Sequence, residues 1–184
     1  KNTIKEATLG LSALFFVIMY TTIWLWKVDP QMPIMDTGLE DRTNSLYLDV
    51  KADPDNLFVF DAWFYATHHL LHIDWFMKHV HRFHQYFCSY LAILLTSAFA
   101  QDAVHPFEAI LQGPMGHFFV TLIYPMNPLL ISVLGYLTSV YALLAHDARA
   151  LDLNDHVKHH HYRNCNFGLY WGLLDYVFGT RYSK

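Results

Sequence analysis

The chain has 184 residues, of which 54% are hydrophobic, 17% aromatic and only 15% charged, where soluble domains carry about 25% charged residues. A net charge of −4 with no basic stripe excludes a nucleic-acid partner, and two isolated cysteines, Cys88 and Cys165, exclude a disulfide framework or a zinc ribbon. Histidine is abundant instead: its 13 residues outnumber the 12 lysines and arginines together.

The length fits a single domain, with an anchor helix and polar loop over 1–56 and a histidine-rich region over 57–184. Leu9–Trp26 carries no charge, lies between Lys5–Glu6 and Lys27, and ends in Tyr20, Trp24 and Trp26. That length and aromatic flank predict a transmembrane helix, retained as an anchor because no small-residue cleavage site follows it. From Lys27 to Asn56 acidic residues alternate with Pro30, Pro33, Gly38 and Pro54, which predicts a polar loop. Basic residues cluster in the histidine-rich parts, so the positive-inside rule places the histidines on the cytoplasmic side.

Leu57–Gln85 reads as one or two helices with an aromatic face and a histidine face. His68 and His72 stand four apart; His81, His84 and Gln85 follow the i, i+3, i+4 pattern, which shares one helix face. Tyr86–Ala100 is apolar but short for a span. His117–Ala145 is apolar and broken at Pro125 and Pro128, which predicts a hairpin that returns His146 to the side of the other histidines. His156, His159 and His160 repeat the i, i+3, i+4 pattern, so their rings can converge on a single point.

Neutral imidazole is the commonest metal-ligating side chain and suits iron, copper and zinc. A structural zinc closes its shell with four ligands, whereas spaced histidines in several segments exceed four and suit two ions. The Glu and Glu-x-x-His pattern of soluble di-iron bundles is absent, so any iron is bound by imidazole. Asp61, Asp74, Asp147, Asp155 and Asp175, together with Asn166, lie beside or between the clusters. They either accept the second ring N–H of a ligand histidine or serve as ordinary caps and interfacial groups.

The ordered segments HHLLH (68–72), HRFHQ (81–85), HPFE (105–108), AHD (145–147) and HVKHH (156–160), followed by NFG and LDYVFGT, resemble the fatty acid hydroxylase superfamily. Its members are integral membrane di-iron oxygenases with H-x-x-x-H, H-x-x-H-H and H-x-x-H-H boxes. The run HPFEAILQGPMGH, the proline-broken hairpin and AHDA are most similar to the sterol C-5 desaturases, while FGT is equally at home in C-4 methyl oxidases and hydroxylases. The resemblance implies an all-α fold, an integral membrane helical bundle with a cytoplasmic histidine-rich di-iron cap. It also implies that His68, His72, His81, His84, His146, His156, His159 and His160 are iron ligands. Two irons would use O2 on a lipid C–H bond, with electrons from a cytochrome b5-type carrier and NAD(P)H, since no nucleotide or flavin fingerprint is present. The implied partners are a sterol or fatty acyl lipid, the membrane and that electron carrier, and the implied compartment is the endoplasmic reticulum.

Gln85 stands where the second box of the family ends in histidine, and offers iron only a neutral amide oxygen. A non-catalytic metal-binding membrane protein is the alternative that this substitution raises. A histidine-lined metal transporter ranks last, because Leu9–Trp26 and Leu129–Ala145 carry only small polar groups. His69, His79, His117 and His161 lie outside the ligand pattern.

Overall fold

The computed structural model describes residues 2–28, 55–85, 101, 103–124, 128–146 and 156–183, the side chains at 2–7, 24–28, 128 and 129 excepted. The regular elements among them are all helical: α1 (Asn2–Val28), α2 (Asp55–Leu71), α3 (Asp74–Phe76) running into a π-helical turn (Met77–His81), α4 (Pro106–Gln112), α5 (Pro114–Ile123), α6 (Pro128–Ala145), α7 (His156–Tyr162) and α8 (Leu173–Val177). The acidic loop over 29–54, the apolar stretch 86–100, the proline turn at 125–127, and Asp147 and Asp155 lie outside the described residues.

Local chemistry explains several boundaries. His105 caps α4: its ring Nδ1 accepts the Phe107 amide at 3.2 Å, and Pro106 takes the first helical position, where no N–H is needed. Gly113 closes α4 and Pro114 opens α5 by the same rule, so α5 starts earlier than His117. The expected two legs are present as α5 and α6, which touch.

Helix α1 lies along α4 and reaches α5, while α2 packs on α5 and α4. Phe60, Val120 and Leu169 form one buried cluster; Leu71, Val80 and Leu111 form another. Trp63 ties α2 to α4 by donating its indole N–H to the Leu111 carbonyl at 2.8 Å. The C-terminal segment is held by two carboxylates. Asp61 Oδ1 on α2 accepts the amides of Leu169 and Tyr170, both at 2.9 Å. Asp175 accepts the amides of Phe167 and Gly168, both at 2.8 Å, and the Thr180 hydroxyl at 2.7 Å.

The anchor expected over Leu9–Trp26 is a helix, as part of α1, but among the described residues no helix is long and apolar enough to cross a membrane. The outer face of α1 is nonetheless apolar, with Leu11, Leu14, Phe15, Phe16, Ile18, Met19 and Ile23 exposed. Leu122, Ile123, Val133 and Leu137 continue that character on α5 and α6.

Close approach of α5 to α2 requires glycine at one position. A Cβ on Gly116 would lie 2.8 Å from Phe60 Cε2 and 2.9 Å from Trp63 Cδ1, inside contact distance of two packed rings. Gly116→Ala is expected to lower stability by about 1–3 kcal/mol through overpacking, read as a lower thermal unfolding midpoint of the detergent-solubilised protein.

Candidate metal centre

His68 sits in the last turn of α2 and His72 in the bend that follows. His81 ends the π-helical turn, His84 and Gln85 continue it, His146 follows α6, and His156, His159 and His160 lie on α7. The fold sorts these histidines into two groups. His68, His72, His81 and His159 make one; His84, His146, His156 and His160 make the other. Within each, the candidate ligand nitrogens lie within 4.8 Å of one another. All eight side chains are buried except that of His72, which is half-buried.

Convergence of His156, His159 and His160 on one point does not occur: His159 serves the first group and the other two serve the second. The physical reason is helical phase. Positions i and i+4 differ by about 40°, whereas i+3 falls about 60° to the other side, so one α-helical turn can address two neighbouring points. The segment HRFHQ divides in the same way, with His81 and Gln85 toward the first group and His84 toward the second. The π-helical turn that runs into its first residue, His81, resets the register, a device that recurs at functional sites. The groups adjoin, with ring centroids 5.6 Å apart for His81 and His84 and 5.4 Å for His156 and His159.

Outer hydrogen bonds decide which way the rings present their lone pairs. A ring nitrogen facing a carbonyl must carry the proton, so the opposite nitrogen is left with its lone pair. His68 Nδ1 donates to the Phe167 carbonyl at 3.0 Å, His159 Nδ1 to the Cys165 carbonyl at 2.7 Å, and His146 Nδ1 to the Ala142 carbonyl at 2.6 Å. His81 Nδ1 donates to Glu108 Oε1 at 2.7 Å, with Glu108 only 1% exposed. In each case Nε2 becomes the inward-facing donor atom, the tautomer that a metal ligand needs. His68 Nε2 is buried without a hydrogen-bond partner, which is the condition of a nitrogen shaped for a cation. The residues present therefore fit ions bound by imidazole.

Asp61 and Asp175, expected beside the rings, instead hold backbone amides, and Asn166 Oδ1 accepts the Tyr182 amide at 2.8 Å. They act one step further out, by fixing the loop that carries the Cys165 and Phe167 carbonyls. Arg163 and Asn166 adopt left-handed backbone, with φ of 65° and 55°, on either side of Cys165. Glu108 was within reach of sequence reading, as the acidic residue of HPFE, yet nothing in spacing ties it to His81. The carbonyl acceptors leave no side-chain signature.

Burial keeps the rings of His68, His72, His84, His146, His156, His159 and His160 neutral. Desolvation, reinforced by the neighbouring rings, holds His68, His84, His156 and His160 well below the ordinary imidazole range. It pushes His72 down to about 2, and His159 to about 3 and His146 to about 4 against the raising effect of their carbonyl bonds. The remaining described histidines belong to neither group. His117 stacks on Phe60 at 4.4 Å, His79 binds the Trp75 carbonyl, and His69 and His161 are exposed.

A cavity of about 210 Å³ adjoins both groups. His68, His84, His146 and His156 line one part; Val17 of α1, Phe60, Phe64 and Leu169 line the apolar part.

Residues 56–180 match the family model described as fatty acid hydroxylase. The chain belongs to the fatty acid hydroxylase family. Histidines of both groups lie inside the matched segment, as does Glu108. This family member is also similar to the Delta(7)-sterol 5(6)-desaturase of Eremothecium gossypii, at 26% identity over 184 residues, which is 95% of the chain and 50% of that protein. The chain thus spans about half the length of that curated relative. No solved structure matches it.

Two outcomes follow from this geometry. Glu108→Ala is expected to weaken ion binding about 10–100-fold by freeing the His81 ring, measured by metal titration. Acid should also unfold the metal-free protein steeply. His68, His72, His84, His146, His156, His159 and His160 have folded pKa values below the unfolded value of about 6.5, so the unfolded chain binds more protons below that pH. Their contribution is present above about pH 6.5 and is lost on acidification, at up to about 1.4 kcal/mol per histidine per pH unit. Circular dichroism is expected to show unfolding within about one to two units below pH 6.5.

Proposed function

We propose that this chain is the histidine-box core of a membrane-associated, O2-dependent non-haem di-iron oxidoreductase acting on a lipid C–H bond, with sterol C-5 desaturation as its reaction. The observation that carries the reading is the pair of adjoining four-imidazole groups at one side of a cavity whose other part is lined by Val17, Phe60, Phe64 and Leu169. Similarity to a sterol desaturase supports the choice of substrate class.

His68, His72, His81 and His159 would hold one iron and His84, His146, His156 and His160 a second, and iron there would supply O2 activation and hydrogen removal from unactivated carbon. The chain's own residues do the rest. Phe167, Cys165, Ala142 and Glu108 hold the inward tautomers, and Phe60, Phe64 and Leu169 keep water from the apolar side of the cavity. Desaturation takes two hydrogens from adjacent carbons and, with O2 and two electrons and two protons from a donor, leaves an alkene and two waters. Hydroxylation uses the same inputs and leaves an alcohol and one water. A cytochrome b5-type carrier fed by NAD(P)H delivers the electrons.

The cavity of about 210 Å³ takes part of a fused-ring lipid, and the remainder lies along the exposed apolar faces of α1, α5 and α6. Those faces support attachment to a membrane, with the histidine boxes toward the cytoplasmic face of the endoplasmic reticulum. Lys78, Arg82, Lys158, Arg163 and Arg181 around the boxes support that orientation.

Expression in cells lacking sterol C-5 desaturase, with sterols read by mass spectrometry, tests the reaction. A product lighter by two hydrogens is expected, reduced more than about 100-fold by His159→Ala, a greater loss than removal of an outer partner causes. A product heavier by one oxygen assigns hydroxylation instead, and an unchanged profile removes the sterol assignment.

A further inference from the structure

Gln85 lies inside the first imidazole group. It is 2% exposed, and its Nε2 is 2.8 Å from Nε2 of His159, 3.3 Å from that of His81 and 3.4 Å from that of His72. Its Oε1 is buried with no hydrogen-bond partner. Because His81 and His159 each use Nδ1–H outward, the atoms that Gln85 meets are lone pairs, and an amide N–H is the group that satisfies them without a metal. Turning the carboxamide by half a rotation exchanges nitrogen and oxygen at nearly constant shape. The oxygen then points among the same lone pairs, an arrangement that is repulsive unless a cation lies between them. The second group contains four imidazoles.

We infer that Gln85 Oε1 is the fifth donor to the ion held by His68, His72, His81 and His159, adding one neutral oxygen to its four nitrogens. Neutral oxygen is a poorer donor than imidazole for a soft-to-borderline ion, which makes Gln85 the residue that tunes one site independently of the other. The inference rests on the reading of the two groups as ion sites.

Titration of the purified full chain with Co(II), followed by visible absorption and by bound-metal stoichiometry, tests it without turnover. Gln85→Leu is expected to weaken one ion by about tenfold or more while leaving the other within about threefold, and to strengthen the visible absorption of the affected ion as its coordination falls from five to four. Gln85→Glu, nearly isosteric, is expected to tighten the same ion by about tenfold, because an anionic oxygen replaces a neutral one. The affected ion should be the one that Glu108→Ala weakens and not the one that His146→Ala removes. If Gln85→Leu does not fold, Gln85→Glu decides alone. Two ions bound with wild-type affinity and spectra in Gln85→Glu overturn the inference while leaving the metal reading intact; a wild-type chain that binds no ion overturns both.

Discussion

A neutral imidazole has one N–H and one lone pair, and only an acceptor outside a cluster makes the lone pair face inward. The metal-centre region is organised around meeting that requirement for buried rings. Three acceptors are backbone carbonyls and one is the Glu108 carboxylate. Two of the carbonyls, those of Cys165 and Phe167, belong to the segment after α7, whose course depends on left-handed residues at 163 and 166 and on the Asp175 and Asp61 carboxylates. These carboxylates never touch an imidazole, yet they determine where two ring protons go.

Burial and neutrality reinforce each other here. Packing the rings together without water penalises the charged form, and neighbouring rings add to the penalty. Glu108 is the carboxylate bonded directly to a cluster histidine among the described residues. Divalent ions in such donors keep most of their positive charge, unlike ions held by carboxylates, and the surroundings must tolerate it. Glu108 also lines the cavity beside the two groups, and so places a carboxylate where such charge would lie.

Spacing alone made the histidine segments legible, because i, i+3 and i+4 positions cannot avoid sharing a helix face. It did not tell how those faces divide. His159 and His160 are adjacent in sequence and serve different groups, and the π-helical turn that ends at His81 has no marker in the residues MKHVH. Asp61 and Asp175 were visible as carboxylates near the boxes, but the partners of Asp61 are amides 108 and 109 residues away, which no local pattern encodes, and those of Asp175 are the amides of Phe167 and Gly168 in the loop that precedes it. Glu108 illustrates the opposite failure. Its motif was plain, and its partner His81 lies 27 residues earlier, joined to it only by the packing of α4. The apolar character of Leu9–Trp26 correctly indicated a helix, since charge-free length favours one wherever its outer face ends up.

The bonds from Leu169 and Tyr170 to Asp61 span 108 and 109 residues, and that from His68 to Phe167 spans 99. Each helix can form as it emerges from the ribosome, but contacts of such separation form only after the intervening chain exists. Neither histidine group is complete until α7 has emerged, and the tautomers of His68 and His159 are not set until residues 165–167 have followed. During synthesis the early histidines are therefore loose imidazoles, open to whichever metal binds nitrogen most strongly, with copper and zinc ahead of iron. The group that contains His68 and His159 cannot present its full set of inward lone pairs before the chain through residues 165–167 exists.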